Sequence, residues 1–112
     1  MNIIEETKRS IREEINRILD VNDPGEPDIS PLEAVAREAR LNVIEEVRQR
    51  MENITAVEDL KPLVLALHDK VTQINPFDPA LTEEQAATAS AKWGLYAQLA
   101  GFINGLRKKI GH

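Results

Sequence analysis

Residues 55–74, TAVEDLKPLVLALHDKVTQI, decide the fold class of this chain. Apolar residues recur in this stretch at alternating steps of three and four, which is the spacing of one face of an α-helix. A continuous seam of this length predicts a helix that packs against other helices rather than a strand of a sheet. The residues of the seam are Val57, Leu60, Val64, Leu67, Val71 and Ile74.

The start of this helix can be placed in two ways. Thr55 and Glu58 have the spacing of a capping box, which begins the helix at about residue 56. Pro62 lacks an amide proton and is tolerated without distortion only in the first turn of a helix. It therefore either kinks a helix of about 56–75 or marks a later start, with Asp59 as the cap.

Local signals predict three more helices. Ser30 and Glu33 form a capping box around Pro31, a residue suited to the first helical position. Thr82 and Gln85 form a further box before the longest apolar stretch. In the N-terminal segment, isoleucines recur at helical spacing. The four predicted helices span about 3–20, 31–53, 56–75 and 80–109.

A single all-α domain over residues 1–112, an antiparallel four-helix bundle, accommodates these elements. The length of 112 residues fits one domain. The predicted second and third helices are separated by only a few residues, which favours antiparallel neighbours. Because the chain has two Phe, one Tyr and one Trp, its core must consist mostly of Ile, Leu, Val and Ala.

Composition excludes several classes of function. The chain has no cysteine, which rules out disulfides, thiolate metal sites and thiol nucleophiles. Its net charge is −5, with −7 on residues 1–59 and +2 on residues 60–112. Neither part has the strongly basic surface that attracts nucleic acid, so we expect no nucleic-acid partner.

We expect the protein to act in the cytoplasm. Charged residues begin at Glu5, which leaves no apolar segment of signal-peptide length before it. The longest nearly apolar run, Trp93–Leu106, has 14 residues, whereas a bilayer span needs roughly 20. The size and composition fit accessory proteins of phages or mobile elements, although no motif marks that origin.

The acidic residues do not have the spacing of a metal site. If Asp20 were the first position of a calcium loop, Pro24 would occupy a ligand position and Pro31 would replace the bidentate glutamate. Carboxylates also recur seven residues apart, but without the Glu-x-x-His pairs of helical di-metal sites. We therefore predict no metal and no cofactor, and interpret these carboxylates as exposed helix surface. They are Glu6, Glu13 and Asp20, and Glu38, Glu45 and Glu52.

One histidine, His68, lies within a predicted helix and is the only candidate for a catalytic base. A general base needs a nucleophile or a substrate proton within hydrogen-bond distance. An enzyme or small-ligand site would require a buried polar cluster of His68, Asp69 and Gln73 facing Tyr96 or Gln98. This site inside the bundle is the alternative to a non-enzymatic role.

The predicted C-terminal helix carries more apolar surface than one side of a bundle needs. Two apolar stripes run along it, one on each side of a row of small residues. Each glycine in that row costs about 1 kcal/mol of helix propensity relative to alanine, so three glycines require a compensating contact. Either this helix is central in its own bundle, with all its sides used internally, or part of it binds a partner. The residues predicted to bind a partner are Trp93, Tyr96, Ala97, Leu99, Gly101, Phe102, Gly105 and Leu106.

The sequence therefore predicts a non-enzymatic interaction or assembly module that uses its C-terminal helix. The expected partner is a second copy, giving a homodimer, or another helical protein. A further alternative is binding to a membrane surface, because Lys92 and the basic residues 107–109 flank an apolar helix that contains Trp and Tyr.

Overall fold

The computed structural model describes residues 2–22 and 30–111. All regular structure in these residues is helical, which confirms the predicted fold class. A 3-10 turn, Val57–Asp59, precedes the third helix. The four α-helices are α1 (Ile3–Asn22), α2 (Pro31–Glu52), α3 (Leu60–Gln73) and α4 (Glu83–Ile110).

The beginning of α3 follows the later of the two predicted starts. Asp59 immediately precedes the helix, but its side chain does not make the predicted capping hydrogen bond to α3. Pro62 lies in the first turn, where no amide proton is needed. The Asp59 carboxylate accepts hydrogen bonds from the backbone amides of Thr55 and Ala56, at 3.4 and 3.3 Å. The predicted capping role of Glu58 was therefore wrong by one residue.

The ends of the other helices differ from the prediction by one to three residues. α1 continues past residue 20, and α2 ends at Glu52. α4 begins at Glu83 rather than at residue 80, because Thr82 and Gln85 form the capping box and cap each other's amides. α3 stops at Gln73 because Pro76 disfavours a helical conformation in the residue before it.

The capping box of α2 is formed only in part. Ser30 Oγ accepts from the amide of Glu33 at 3.1 Å, as predicted. The Glu33 carboxylate accepts a hydrogen bond from Arg40 at 2.7 Å instead of that from the Ser30 amide. An ion pair with a residue two turns further along the helix therefore takes the place of half of the box.

α4 is the central helix of the fold. α2 and α3 each pack along it, whereas within the described residues they contact each other very little. The short connection between α2 and α3 therefore does not make them packing partners, contrary to the prediction. Their buried residues, including Val47 of α2 and Leu67 of α3, join those of α4 in one apolar cluster.

α1 is attached chiefly to α2. Ile11 and Ile15 are fully buried in the common core. Outside the core, the Arg12 guanidinium contacts the Glu52 carboxylate at 2.9 Å, and Lys8 Nζ donates to the Glu52 carbonyl oxygen at 3.1 Å. The last turn of α2 is thereby held by two cations of α1, which also suit the negative end of its helix dipole.

The molecule is flat, with extents of 44 × 31 × 20 Å. The smallest extent accommodates two layers of helices packed about 8–10 Å apart. A central helix in a structure of only two layers keeps one side on the surface.

Candidate interaction surface

The outward side of α4 consists of small uncharged residues. Positions 90, 94, 97, 101 and 105 follow one another at steps of three or four, which keeps them on one side of the helix. All five are exposed. We call this surface the small-residue face, and its members are Ser90, Gly94, Ala97, Gly101 and Gly105.

The opposite side of α4 forms the core of the protomer. Two residues predicted to bind a partner, Tyr96 and Leu99, are buried there, and Leu99 has no exposed area. Phe102 and Leu106 are half-buried against the same cluster. Helical spacing did not separate these four from the exposed residues, because both sides of α4 are uncharged. The exposed residues of the predicted site are Trp93, Ala97, Gly101 and Gly105.

No contact among the described residues accounts for the glycines of the small-residue face. A Cβ atom added to Gly94, Gly101 or Gly105 would meet no atom within 4 Å. None of the three has a positive φ, since Gly111 is the one described residue with that conformation. Neither close packing nor backbone conformation within the chain therefore requires glycine at these positions.

Charge is concentrated at the two ends of α4. Glu83 and Glu84 occupy the first turn, and three basic residues, 107–109, occupy the last. Between residues 84 and 107 the single charged side chain is that of Lys92, which is half-buried. Exposed helix faces are normally rich in charged residues, so this uncharged outer surface is unusual.

An aromatic pair lies at the edge of the small-residue face. The rings of Trp93 and Phe77 meet edge to face, with centroids 6.3 Å apart and an angle of 71°. Phe77 is 80% exposed and Trp93 is 38% exposed. Trp93 lies next to Gly94 and one turn before Ala97.

The position of Phe77 was not predicted, although its turn contains a local signal. The Asn75 side chain accepts from the Phe77 amide at 3.2 Å, and the Asp78 side chain accepts from the Ala80 amide at 2.9 Å. Such turns are typical of Asx residues and fix the direction of the chain. They hold Phe77 against α4.

The polar cluster required for a site at His68 is not formed. His68, Asp69 and Gln73 are all exposed on α3. The hydroxyl of Tyr96 is turned away from them, toward α2, where it donates to Glu46 at 3.0 Å. Gln98 is exposed on α4. These residues therefore do not enclose a catalytic site in the bundle.

The heptad-spaced carboxylates lie on exposed helix surface, as interpreted from the sequence. Glu13 pairs with Arg9, and Glu52 pairs with Arg12. Within the described ranges no three His, Asp or Glu side chains are grouped closely enough to hold a metal ion. Residues 23–28 of the segment compared with a calcium loop lie outside the described part.

A cleft of about 470 Å³ separates the end of α1 from α2 and α4. Its two arginines are each paired with a carboxylate, Arg17 with Glu14 and Arg40 with Glu33. The charge that an anionic ligand would require is thus already balanced. The cleft is lined by Arg17 and Ile18 of α1, by Arg40 of α2 and by residues of α4 that include Ser90 and Gly94, so the first part of the small-residue face borders this cleft.

Comparison with known proteins adds no relative to these observations. Across the described residues, no helix is both long enough and apolar enough to cross a membrane. The chain matches no protein-family model, no curated protein and no solved structure at a significant level.

Proposed function

We propose that the protein is a non-enzymatic helical module that associates with a second copy through the small-residue face of α4. The observation that carries this proposal is the open space at Gly94, Gly101 and Gly105. Glycine allows the closest approach of another backbone. A surface of this kind suits a second helix, which could pack at the lower end of the usual 8–10 Å range.

The three glycines of this face make α4 less stable than alanine would at the same positions. Three glycines in helix interiors together cost about 3 kcal/mol relative to alanine. Small domains are typically stable by about 5–15 kcal/mol, so this cost is a substantial part of the total. Since no contact among the described residues offsets it, a contact outside the protomer is the physical compensation we infer.

A helix partner explains this face better than a membrane surface does. Helices that lie on membranes insert large apolar side chains into the lipid. In α4 the large residues Leu95, Leu99 and Ile103 are buried in the core instead. The members of the small-residue face are glycine, alanine and serine, which bury little apolar area in lipid but fit closely against another helix.

The first test is the oligomeric state of the protein. Light scattering coupled to size exclusion, over a series of concentrations, should show a dimer in equilibrium with a monomer. Gly101→Leu should shift this equilibrium to the monomer, because the leucine occupies the space of the partner backbone. The protomer should remain folded, since the space around Gly101 is open.

Asn16→Leu is the matched control. Asn16 is exposed in the middle of α1 and, like Gly101, is uncharged. This variant adds the same apolar side chain to a surface outside α4 and should retain wild-type association. A wild type that remains monomeric, or a Gly101→Leu variant that dimerises normally, would contradict the proposed function. Binding to anionic vesicles by a monomeric wild type would instead favour the membrane alternative.

We also propose that successive helices of the bundle run antiparallel. Arg12 of α1 pairs with Glu52 at the end of α2, whereas Ile18, further along α1, lines a cleft together with Arg40, which is earlier in α2. These two positions support opposite directions for the two helices. A spin label attached through Asn2→Cys should broaden amide resonances near Glu52 and leave those near Leu32 sharp. Broadening near Leu32 would indicate the parallel arrangement.

A further inference from the structure

We infer that the two copies cross with their α4 helices antiparallel, in a register set by Glu83 and Lys108. This orientation rests on the proposed function and specifies how the partner sits. Glu83 and Lys108 lie on the line of the small-residue face, since residues 83, 87, 90, 94, 97, 101, 105 and 108 are separated by steps of three or four. Both charged residues are exposed, and within the described ranges neither forms an ion pair.

The charge at the two ends selects a second copy in antiparallel orientation. Glu83 of one copy then lies opposite Lys108 of the other, and the two-fold axis repeats the contact. In a parallel pair, glutamate would meet glutamate and lysine would meet lysine. The dipoles of the two helices would also be aligned in the same direction, which is unfavourable. Glu83 and Lys108 already interact favourably with the dipole of their own helix. The antiparallel pair gives each of them a second favourable contact.

The register that pairs the ends also brings small residues together. The midpoint between residues 83 and 108 lies between Leu95 and Tyr96, next to Gly94. Around this midpoint Ser90 is placed opposite Gly101, and Gly94 opposite Ala97. The alignment that pairs the charged ends is thus compatible with close contact between small residues. Such self-complementarity is expected of a surface that contacts its own copy.

Charge reversal tests this orientation at low ionic strength. Glu83→Lys places lysine opposite Lys108 twice in the dimer, and Lys108→Glu places glutamate opposite Glu83 twice. Each variant should dimerise about five- to tenfold more weakly, as expected for two exposed ion pairs turned into repulsions. The double variant should recover wild-type affinity, and an equimolar mixture of the two single variants should form a heterodimer. Sedimentation velocity measures all four affinities.

Two neighbouring charges serve as matched controls. Glu84 and Lys109 lie about 100° around the helix from Glu83 and Lys108, away from the line of the small-residue face. Glu84→Lys and Lys109→Glu change the net charge and the helix-end charge equally, but should alter association much less. High salt should remove the difference between all these variants, because it screens exposed charges.

Cysteine cross-linking gives a second measurement that does not depend on charge. The chain contains no native cysteine. Under oxidation Ser90→Cys should link to Gly101→Cys in a mixed sample, and Ser90→Cys alone should link poorly to itself. Efficient linking of Ser90→Cys to itself would overturn the antiparallel orientation.

If the wild type dimerises and Gly101→Leu abolishes the dimer while the charge reversals have no effect, the orientation fails and the proposed function stands. A monomeric wild type excludes both.

Discussion

The hydroxyl of Tyr96 donates a hydrogen bond of 3.0 Å to Glu46 Oε1 and so connects the core side of α4 to α2. The other carboxylate oxygen, Glu46 Oε2, is buried and lies 3.4 Å from Arg50 Nε without forming a good hydrogen bond. This hydrogen bond lies at the edge of the apolar contact between α4 and α2. Glu46 therefore depends on Tyr96 for a well-formed partner within the protomer.

Tyr96→Phe should destabilise the protein by about 1–2 kcal/mol. The variant keeps the ring in the core but removes the donor to a partly buried carboxylate, and an unsatisfied buried acceptor costs free energy. Urea denaturation should show a lower midpoint with an unchanged slope. Glu46→Gln is the informative comparison, because its amide oxygen still accepts from Tyr96, and we expect a smaller loss. Equal stability of Tyr96→Phe and wild type would contradict the importance of the link.

The same link predicts a loss of stability in alkaline solution. Burial, together with the hydrogen bond and negative charge of Glu46, raises the pKa of Tyr96 from 10.0 to about 12, against a smaller lowering by Arg50. The unfolded chain therefore loses the tyrosine proton first. The contribution of Tyr96 is fully present below pH 10 and is lost as the pH rises from about 10 to 12.

Lysine side chains lose their charge over the same pH range. A comparison of wild type with Tyr96→Phe separates the titration of Tyr96 from that of the lysines. The difference in unfolding free energy between wild type and variant should be largest near pH 8 and should shrink by pH 11. Urea denaturation at the two pH values gives both differences. If the difference in unfolding free energy is the same at both pH values, the pKa of Tyr96 is not raised in the folded protein.

Helix starts could be predicted because their causes are local. Ser30 and Thr82 cap the amides three residues ahead of them, and these contacts depend on a few consecutive residues. The exception was the start of α3. There Thr55 and Asp59 competed as caps, and spacing alone did not favour Asp59 over Glu58.

The arrangement of α4 could be predicted only in part. The row of small residues is visible in the sequence, but Leu99 and Ala97 are both uncharged, so their helical spacing does not show which side is buried. The buried side of α4 is determined by α2 and α3, which pack against the side that carries Leu99. The contact between Phe77 and Trp93 likewise depends on how the turn after α3 folds back, which is a tertiary property.

Attachment of α1 should depend on its isoleucines far more than on its ion pairs. Ile15→Ala removes a fully buried side chain and should cost about 2–5 kcal/mol. Arg12→Ala removes an exposed pair with Glu52 and should cost less than about 1 kcal/mol. Urea denaturation gives both values, and hydrogen exchange in α1 shows whether the loss is local. A larger effect for Arg12→Ala than for Ile15→Ala would contradict this ranking.

Gly101→Ala should stabilise the isolated protomer by about 0.5–1 kcal/mol. The residue is in a regular helix, and the added Cβ meets no neighbouring atom. Thermal unfolding should be measured at a concentration low enough for the protein to be monomeric. Gly105→Ala should behave alike, since its surroundings are equally open. A destabilising effect at this concentration would mean that the protomer itself needs the glycine.

Phe77→Ala should change the surroundings of Trp93 without unfolding the chain. Phe77 covers one edge of the indole, and Trp93 is the single tryptophan, so all tryptophan fluorescence comes from this side chain. We expect a red-shifted emission and stronger quenching by acrylamide. Stability should fall by less than about 1 kcal/mol, because Phe77 is largely exposed and loses mainly an aromatic contact.

Leu65→Ala is the control for this experiment, because Leu65 is also a large exposed apolar residue but lies on α3. It should leave the emission of Trp93 unchanged. An unchanged spectrum for Phe77→Ala would show that the turn does not hold the ring against α4 in solution. In the wild type, a blue shift of Trp93 with rising concentration would place the edge of the small-residue face in the dimer contact, because the partner helix would exclude water from the remaining exposed part of the indole.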